Sequence, residues 1–245
     1  MFYIRVVLLG VWMCICAFLG LLKSIFRWGD TNLGKEYARL FTKVAFKIAR
    51  VEVEYQGLEH IEATQPCIYT LNHQSNFDMA VFGAIYPGDT VIIGKKQLIW
   101  VPVFGLFYKS AGNIMIDRSK TDKAKTSLSH VVEEIIRRKV CVWIFPEGTR
   151  NFGKKKLLPF KKGPFHMAIE AQVPVVALVA SSLKELMNWE KKLMLGGKLK
   201  IRVLPPIFTT GMTDQDVTKL TGIVQEQMQT TFDELNSQIN INLDL

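Results

Sequence analysis

"VCVWIFPEGTR", residues 140–150, is a run of six apolar residues that meets a proline and breaks into charge. An apolar stretch this short, with no alternation of polar and apolar positions, suits a strand covered on both faces, as in the parallel sheets of α/β domains. Glu147, Gly148, Thr149 and Arg150 then stand at the carboxyl end of that strand, where such sheets place ligand sites. Gly148 admits close approach of a ligand to the backbone, and the Arg150 guanidinium offers a fork matched to phosphate. Taken alone, the same residues make an ordinary turn with a Glu–Arg surface pair.

Working outward, similar runs recur at Cys67–Leu71, Thr90–Ile93, Asn113–Ile116, Pro174–Ala180 and Leu199–Leu204. "VPVVALV", residues 173–179, is structural by composition. Between them lie helical patterns over Phe77–Ile85, Gln97–Ser110, Asp122–Arg138, Pro164–Ala171 and Thr213–Asn236. This alternation predicts an α/β fold: a mixed or mostly parallel sheet flanked by helices. Residues 51–245 form that domain, and its one stretch of mobile composition is the Lys- and Gly-rich loop Asn151–Lys156. Of the four cysteines, Cys67 and Cys141 fall inside strand-like runs and Cys14 and Cys16 in the N-terminal apolar segment. They read as small buried hydrophobes of a reducing compartment and not as a disulfide framework.

Residues 1–50 read differently. Val6–Leu22 carries no charged residue and is bracketed by Arg5 and Lys23. As a helix it is about 25 Å long, against a hydrocarbon core of about 30 Å. A cleavable signal peptide needs small residues where Lys23 and its large neighbours stand, which argues against one. A spanning helix and one buried in a single leaflet both fit. Leu33, Tyr37, Leu40, Phe41, Val44 and Ile48 follow at helical spacing, interleaved with Lys35, Arg39, Lys43 and Lys47. An apolar helix followed by a basic amphipathic one predicts a membrane anchor.

"LNHQSNFDMAVFG", residues 71–83, places His73 five positions before Asp78. On a continuous helix those side chains point about 140° apart, so the pair can meet only if the chain turns between them. "QSN" supplies a turn, with Ser75 or Asn76 expected to cap a helix starting near Phe77. Asp78 can then hold one nitrogen of His73 and leave the other as a base. A structural cap interaction is the plainer alternative. Ser75 lacks the GxSxG elbow of a hydrolase nucleophile.

A further cluster spans Gly94–Arg118: "GKKQLIWVPVFG" sets Lys95 and Lys96 ahead of an aromatic stripe, and "GNIMIDR" ends in Asp117 and Arg118. Separately these are core aromatics and solvated lysines; together they describe an apolar acyl slot with a basic rim. The net charge of +9 calls for an anionic partner. With no basic block, Walker loop, GxGxxG or zinc-ligand spacing, a membrane or acidic substrate fits better than nucleic acid.

These residues resemble the glycerolipid acyltransferase family. "NHQSNFD" is similar to its HxxxxD box, "FPEGTR" to its acceptor-binding block, and "GKKQLIWVPVFG…IDR" and "VPVVALV" to the other two, all in family order over roughly residues 50–210. The resemblance is strongest to the bacterial branch that acylates lysophosphatidic acid. It implies transfer of an acyl group from an acyl carrier protein or coenzyme A thioester to the free hydroxyl of lysophosphatidic acid, giving phosphatidic acid. It also implies His73 as general base, Asp78 as its support, and Glu147, Gly148, Thr149, Arg150, Lys95 and Arg118 around the glycerol phosphate. No metal or redox cofactor is called for. The implied location is the bacterial inner membrane, with the catalytic domain on the cytoplasmic side. Another lysophospholipid or glycerol 3-phosphate as acceptor, and a non-catalytic lipid carrier, are the competing readings.

Overall fold

A computed structural model describes residues 1–116, 121–152 and 156–241. Two helices open the chain: α1 (Phe2–Ser24) and α2 (Asn32–Ala49). Arg50 then turns out of α2 in a left-handed conformation and leads into β1 (Val51–Gln56). The α/β body continues as β2 (Ile68–Leu71), α3 (Asp78–Gly83), β3 (Thr90–Lys95), α4 (Phe104–Ser110), β4 (Ile114–Ile116), α5 (Thr121–Arg138) and β5 (Cys141–Ile144). It closes with α6 (Gly163–Glu170), β6 (Val175–Ala180), the short hairpin β7 (Met187–Asn188) and β8 (Leu193–Met194), β9 (Gly197–Val203) and α7 (Val217–Ile241).

Among the described residues, one sheet of seven strands runs in the order β1-β9-β6-β2-β5-β3-β4. The stretch β6-β2-β5-β3-β4 is parallel throughout; β9 pairs antiparallel with β6, and β1 parallel with β9. The sheet is therefore mixed and mostly parallel, as the patterning predicts.

Why the central strands β6, β2 and β5 carry no charged residue is visible in which core each side chain enters. Ile68, Val142, Val175 and Ala177 pack with Val131 and Ile135 of α5, Phe165 of α6 and Val224 and Met228 of α7. Their neighbours Tyr69, Trp143, Val176 and Leu178 pack on the other face with Ala45 of α2 and Val81 and Phe82 of α3. Two apolar layers leave neither face to water, so period-two alternation disappears.

Three expectations differ from the structure. The helix over Gln97–Ser110 is broken: a 3-10 turn at Lys96–Trp100 stops, and α4 begins only at Phe104. Pro102 restricts Val101 to extended backbone and cannot donate to a helix, and Val103 follows at φ 63°. β1 and the β7–β8 hairpin do not stand out in the apolar pattern. β1 is an edge strand bonded on one side only, and its Glu52 and Glu54 interrupt the run. Finally, α3 is preceded by Phe77 at its N-cap with no side-chain cap. Ser75 instead makes a turn one step earlier, its Oγ accepting the Phe77 N–H at 3.0 Å.

Candidate active site

Parallel neighbours deliver their carboxyl ends to one edge of the sheet. Because β2 and β5 are adjacent, the loops that leave them, residues 72–77 and 145–152, lie side by side although they are more than seventy positions apart.

The β2 loop is held by its own polar side chains. The Asn72 amide donates to the carbonyl of Ala180 and accepts its N–H, both at 2.9 Å. Gln74 donates to the Ser181 carbonyl at 2.8 Å and accepts the Leu183 N–H at 2.9 Å. Asp78 is 2% exposed. Its Oδ2 receives His73 Nδ1 at 2.7 Å, the Gln74 N–H at 2.7 Å and the Ser75 N–H at 3.0 Å. The turn expected between His73 and Asp78 is thus present, and the carboxylate itself organises it. Burial raises the Asp78 carboxyl above the usual aspartate range, against the lowering pull of His73 and the two loop amides. The bond to Asp78 places the proton on Nδ1 and leaves Nε2 as the basic nitrogen. The ring is clamped from the side by Phe145, stacked at 4.1 Å between centroids and 19° between planes.

The β5 loop contributes support and a cation. Glu147, expected at a ligand phosphate, is 2% exposed and spends both oxygens on backbone. One takes the His73 N–H at 2.6 Å and the other the Leu158 N–H at 2.9 Å. Burial outweighs those bonds and raises its carboxyl. It therefore braces the histidine. Return bonds from Asn151 N to the His73 carbonyl and from Phe152 N to the Gln74 carbonyl stitch the two loops together.

Gly148 adopts φ 70°, a conformation that favours glycine, with the Lys161 side chain packed against it. Thr149 is exposed. Arg150 reaches back over the site: its Nη1 donates to Asn76 Oδ1 at 2.6 Å, and its guanidinium lies 5.4 Å from the Phe152 ring centroid. Lys95 is exposed at the last residue of β3, one strand beyond β5 on the same edge. Arg118 and Asp117, and residues 153–155 of the Lys-rich loop, lie outside the described residues.

An apolar cavity of about 310 Å³ opens beside His73 and Asp78. Phe82, Phe104, Phe107 and Phe145 line it, and Cys16 and Ala17 of α1 with Tyr37 and Phe41 of α2 close its outer wall. Of the aromatic stripe, Phe104 and Phe107 thus line a slot beside His73, whereas Trp100 is exposed outside it, and the N-terminal helices are part of the wall.

A family model described as acyltransferase matches residues 52–181, which contain both loops. The chain belongs to the acyltransferase family. This acyltransferase is 33% identical, over 96% of its own length and 97% of the relative's, to the 1-acyl-sn-glycerol-3-phosphate acyltransferase of Haemophilus influenzae. It is 39% identical to the human 1-acyl-sn-glycerol-3-phosphate acyltransferase alpha over 76% of the chain, and the match spans 66% of the human protein's length. The crystal structure of the 1-acyl-sn-glycerophosphate (LPA) acyltransferase from Thermotoga maritima has the same fold, with a TM-score of 0.73 at 23% identity, covering 96% of this chain and 98% of that one.

Asn72, Gln74 and Phe145 lie at the site and are not singled out by the sequence, which marks Asn76 only as a helix cap. A signal existed for the first two: uncharged amides beside a fully apolar strand are buried only if bonded. Nothing local marks Phe145, which looks like the last residue of a core strand.

Proposed function

We propose that this acyltransferase moves an acyl group from a thioester of acyl carrier protein or coenzyme A to the free hydroxyl of lysophosphatidic acid, releasing phosphatidic acid. The observation that carries this reading is the 2.7 Å His73–Asp78 pair at the mouth of an apolar cavity. A lipid carrier gains nothing from an oriented imidazole, whereas an acyl transfer between oxygen and sulfur needs one proton removed and one returned.

In the proposed sequence, His73 Nε2 takes the acceptor hydroxyl proton as the oxygen attacks the thioester carbonyl. Asp78 holds the ring and stabilises the imidazolium. The carbon–sulfur bond breaks, and the imidazolium returns its proton to the departing thiolate. The acyl chain occupies the slot walled by Phe82, Phe104 and Phe107. Arg150 grips the phosphate by exchanging Asn76 for phosphate oxygens, with Gly148 leaving room, and Lys95 adds charge at the rim.

Residues 1–50 act as the anchor of the catalytic domain that occupies 51–245. α1 is long and apolar enough to cross a membrane. One side of it, Cys16, Ala17, Gly20 and Ser24, is buried against the body, while Tyr3, Ile4, Val7, Leu8, Val11, Ile15, Phe18 and Leu22 form an exposed apolar stripe along its length. A helix packed lengthwise on its own domain supports seating in one leaflet more than a free span. Lys23 and Arg27 at its end favour the cytoplasmic face of a bacterial inner membrane. The test is the purified full chain with both thioesters and a panel of lysolipids. Transfer to lysophosphatidic acid, lost in His73→Ala, is expected. Absence of transfer to any lysolipid, or a different preferred head group, overturns the reading at the level of activity or of acceptor.

A further inference from the structure

We propose that the β7–β8 hairpin is a second membrane contact, one that meets the headgroups of an anionic bilayer and brings that surface level with the mouth of the active site. The proposal rests on the reading of α1 as the membrane anchor and adds a separate element to it.

The hairpin, residues 187–194, is fastened to the first turns of α1. Arg5 Nη1 donates to the Met194 carbonyl, Trp189 packs edge-on against Phe2 at 5.5 Å, and Lys192 Nζ lies 5.6 Å from the ring centroid of Tyr3. Tyr3 begins the exposed apolar stripe of α1, so the tip continues that surface at its amino-terminal end. Its composition suits an interface. Trp189 is 40% and Leu193 42% exposed, and Lys191 and Lys192 stand at the turn with Glu190 as the one acidic residue of the hairpin itself. Aromatic rings and snorkelling lysines are the side chains that settle between hydrocarbon and headgroup.

The hairpin is also a wall of the reaction site's approach. Trp189, Lys184 and Phe152 share a cavity of about 210 Å³ with Gln74 and Ser75 of the catalytic loop. Phe152 is the ring beneath Arg150. Headgroups resting on the hairpin would thus be presented to the cation proposed to hold the acceptor phosphate.

The experiment uses the full chain with Cys14→Ser and one new cysteine carrying a polarity-sensitive dye, at Leu193, at Val11 on the α1 stripe, or at Glu170 on α6 as a reference. Vesicles of phosphatidylcholine, with and without phosphatidylglycerol at about 30 mol%, are added. A blue shift at Leu193 that is larger on anionic vesicles, with none at Glu170, is expected. Lys191→Gln/Lys192→Gln should weaken hairpin seating on anionic vesicles roughly 30-fold, about 1 kcal/mol for each charge removed. The same variant should raise the apparent KM for lysophosphatidic acid in anionic vesicles and leave it unchanged in neutral detergent micelles. No shift at Leu193 alongside a shift at Val11 overturns the hairpin and keeps the anchor. A shift at Leu193 without one at Val11 overturns the anchor and with it the hairpin's place as a second contact, and no shift at either overturns both. A shift at Leu193 that follows protein concentration without lipid assigns the tip to a second copy of the chain and also overturns the proposal.

Discussion

The two loops that make the site are built in opposite ways. In the β2 loop nearly every polar group is committed: Asn72, Gln74 and Asp78 are buried and bonded, and the imidazole is held by a carboxylate on one nitrogen and by Phe145 on one face. The β5 loop keeps one carboxylate, Glu147, for bracing and leaves Thr149 exposed and Arg150 bonded to the exposed Asn76. The contrast follows from what each loop does in the proposed reaction. A general base loses rate when its position wanders by fractions of an ångström, so its surroundings are rigid. A phosphate clamp must release product, so its cation is held by a contact that a ligand can replace.

The largest effect that bears on this contrast is removal of the base. His73→Ala should lower kcat by about 100- to 10,000-fold with an unchanged fold, read by circular dichroism beside single-turnover assays. Near-wild-type turnover in the folded variant would break the comparison at its rigid side. Next comes the clamp. Arg150→Ala should raise the apparent KM for the acceptor roughly 10- to 150-fold, the equivalent of one charge-assisted bond of about 1.5 to 3 kcal/mol. Arg150→Lys, which keeps charge but not the fork, should fall between. If the thioester saturation curve moves instead, the clamp belongs to the donor.

A smaller effect sharpens the role of Glu147. Its replacement by Ala orphans the His73 and Leu158 N–H groups and should cost about 1 to 3 kcal/mol of stability per orphaned buried donor. That loss should appear in urea unfolding, and kcat should fall through the displaced His73 more than KM rises. A KM effect confined to the acceptor would instead make Glu147 a ligand contact.

The smallest effect concerns pH. Burial raises the folded-state value of Asp78 above its unfolded one. Such a carboxyl favours the fold most at pH below its unfolded value, and that contribution is lost as pH rises through the raised folded value. Asp78→Asn cannot ionise. Its Tm relative to wild type should therefore improve across the window from the ordinary aspartate range upward, even though its activity is severely reduced. A Tm difference that stays flat with pH would show that the three donated bonds offset the burial.

How much of this was legible depended on whether the decisive interaction was local. The spacing of His73 and Asp78 announced a turn, because no helix brings positions five apart together. The break at Pro102 is also local, yet the apolar periodicity of Gln97–Ser110 masks it and the 3-10 turn before it. The sequence neighbours of Glu147, Gly148 and Arg150, point to a ligand contact for it. Its actual partners are backbone groups of residues 73 and 158, which no window of sequence contains.

By itself, then, the sequence determined the α/β class, the doubly covered strands, the apolar and amphipathic opening helices and the His73–Asp78 spacing that the proposed chemistry uses, since each depends on composition, period or short-range spacing. The tertiary structure alone decided that the β2 and β5 loops meet, that Glu147 braces while Arg150 stays available, that α1 lies along the body, and that Trp189 and Lys192 sit beside Phe2 and Tyr3. Those outcomes depend on strand order and on burial among residues far apart in the chain, and burial is what turns one carboxylate into a brace while one guanidinium is held by a bond to an exposed asparagine.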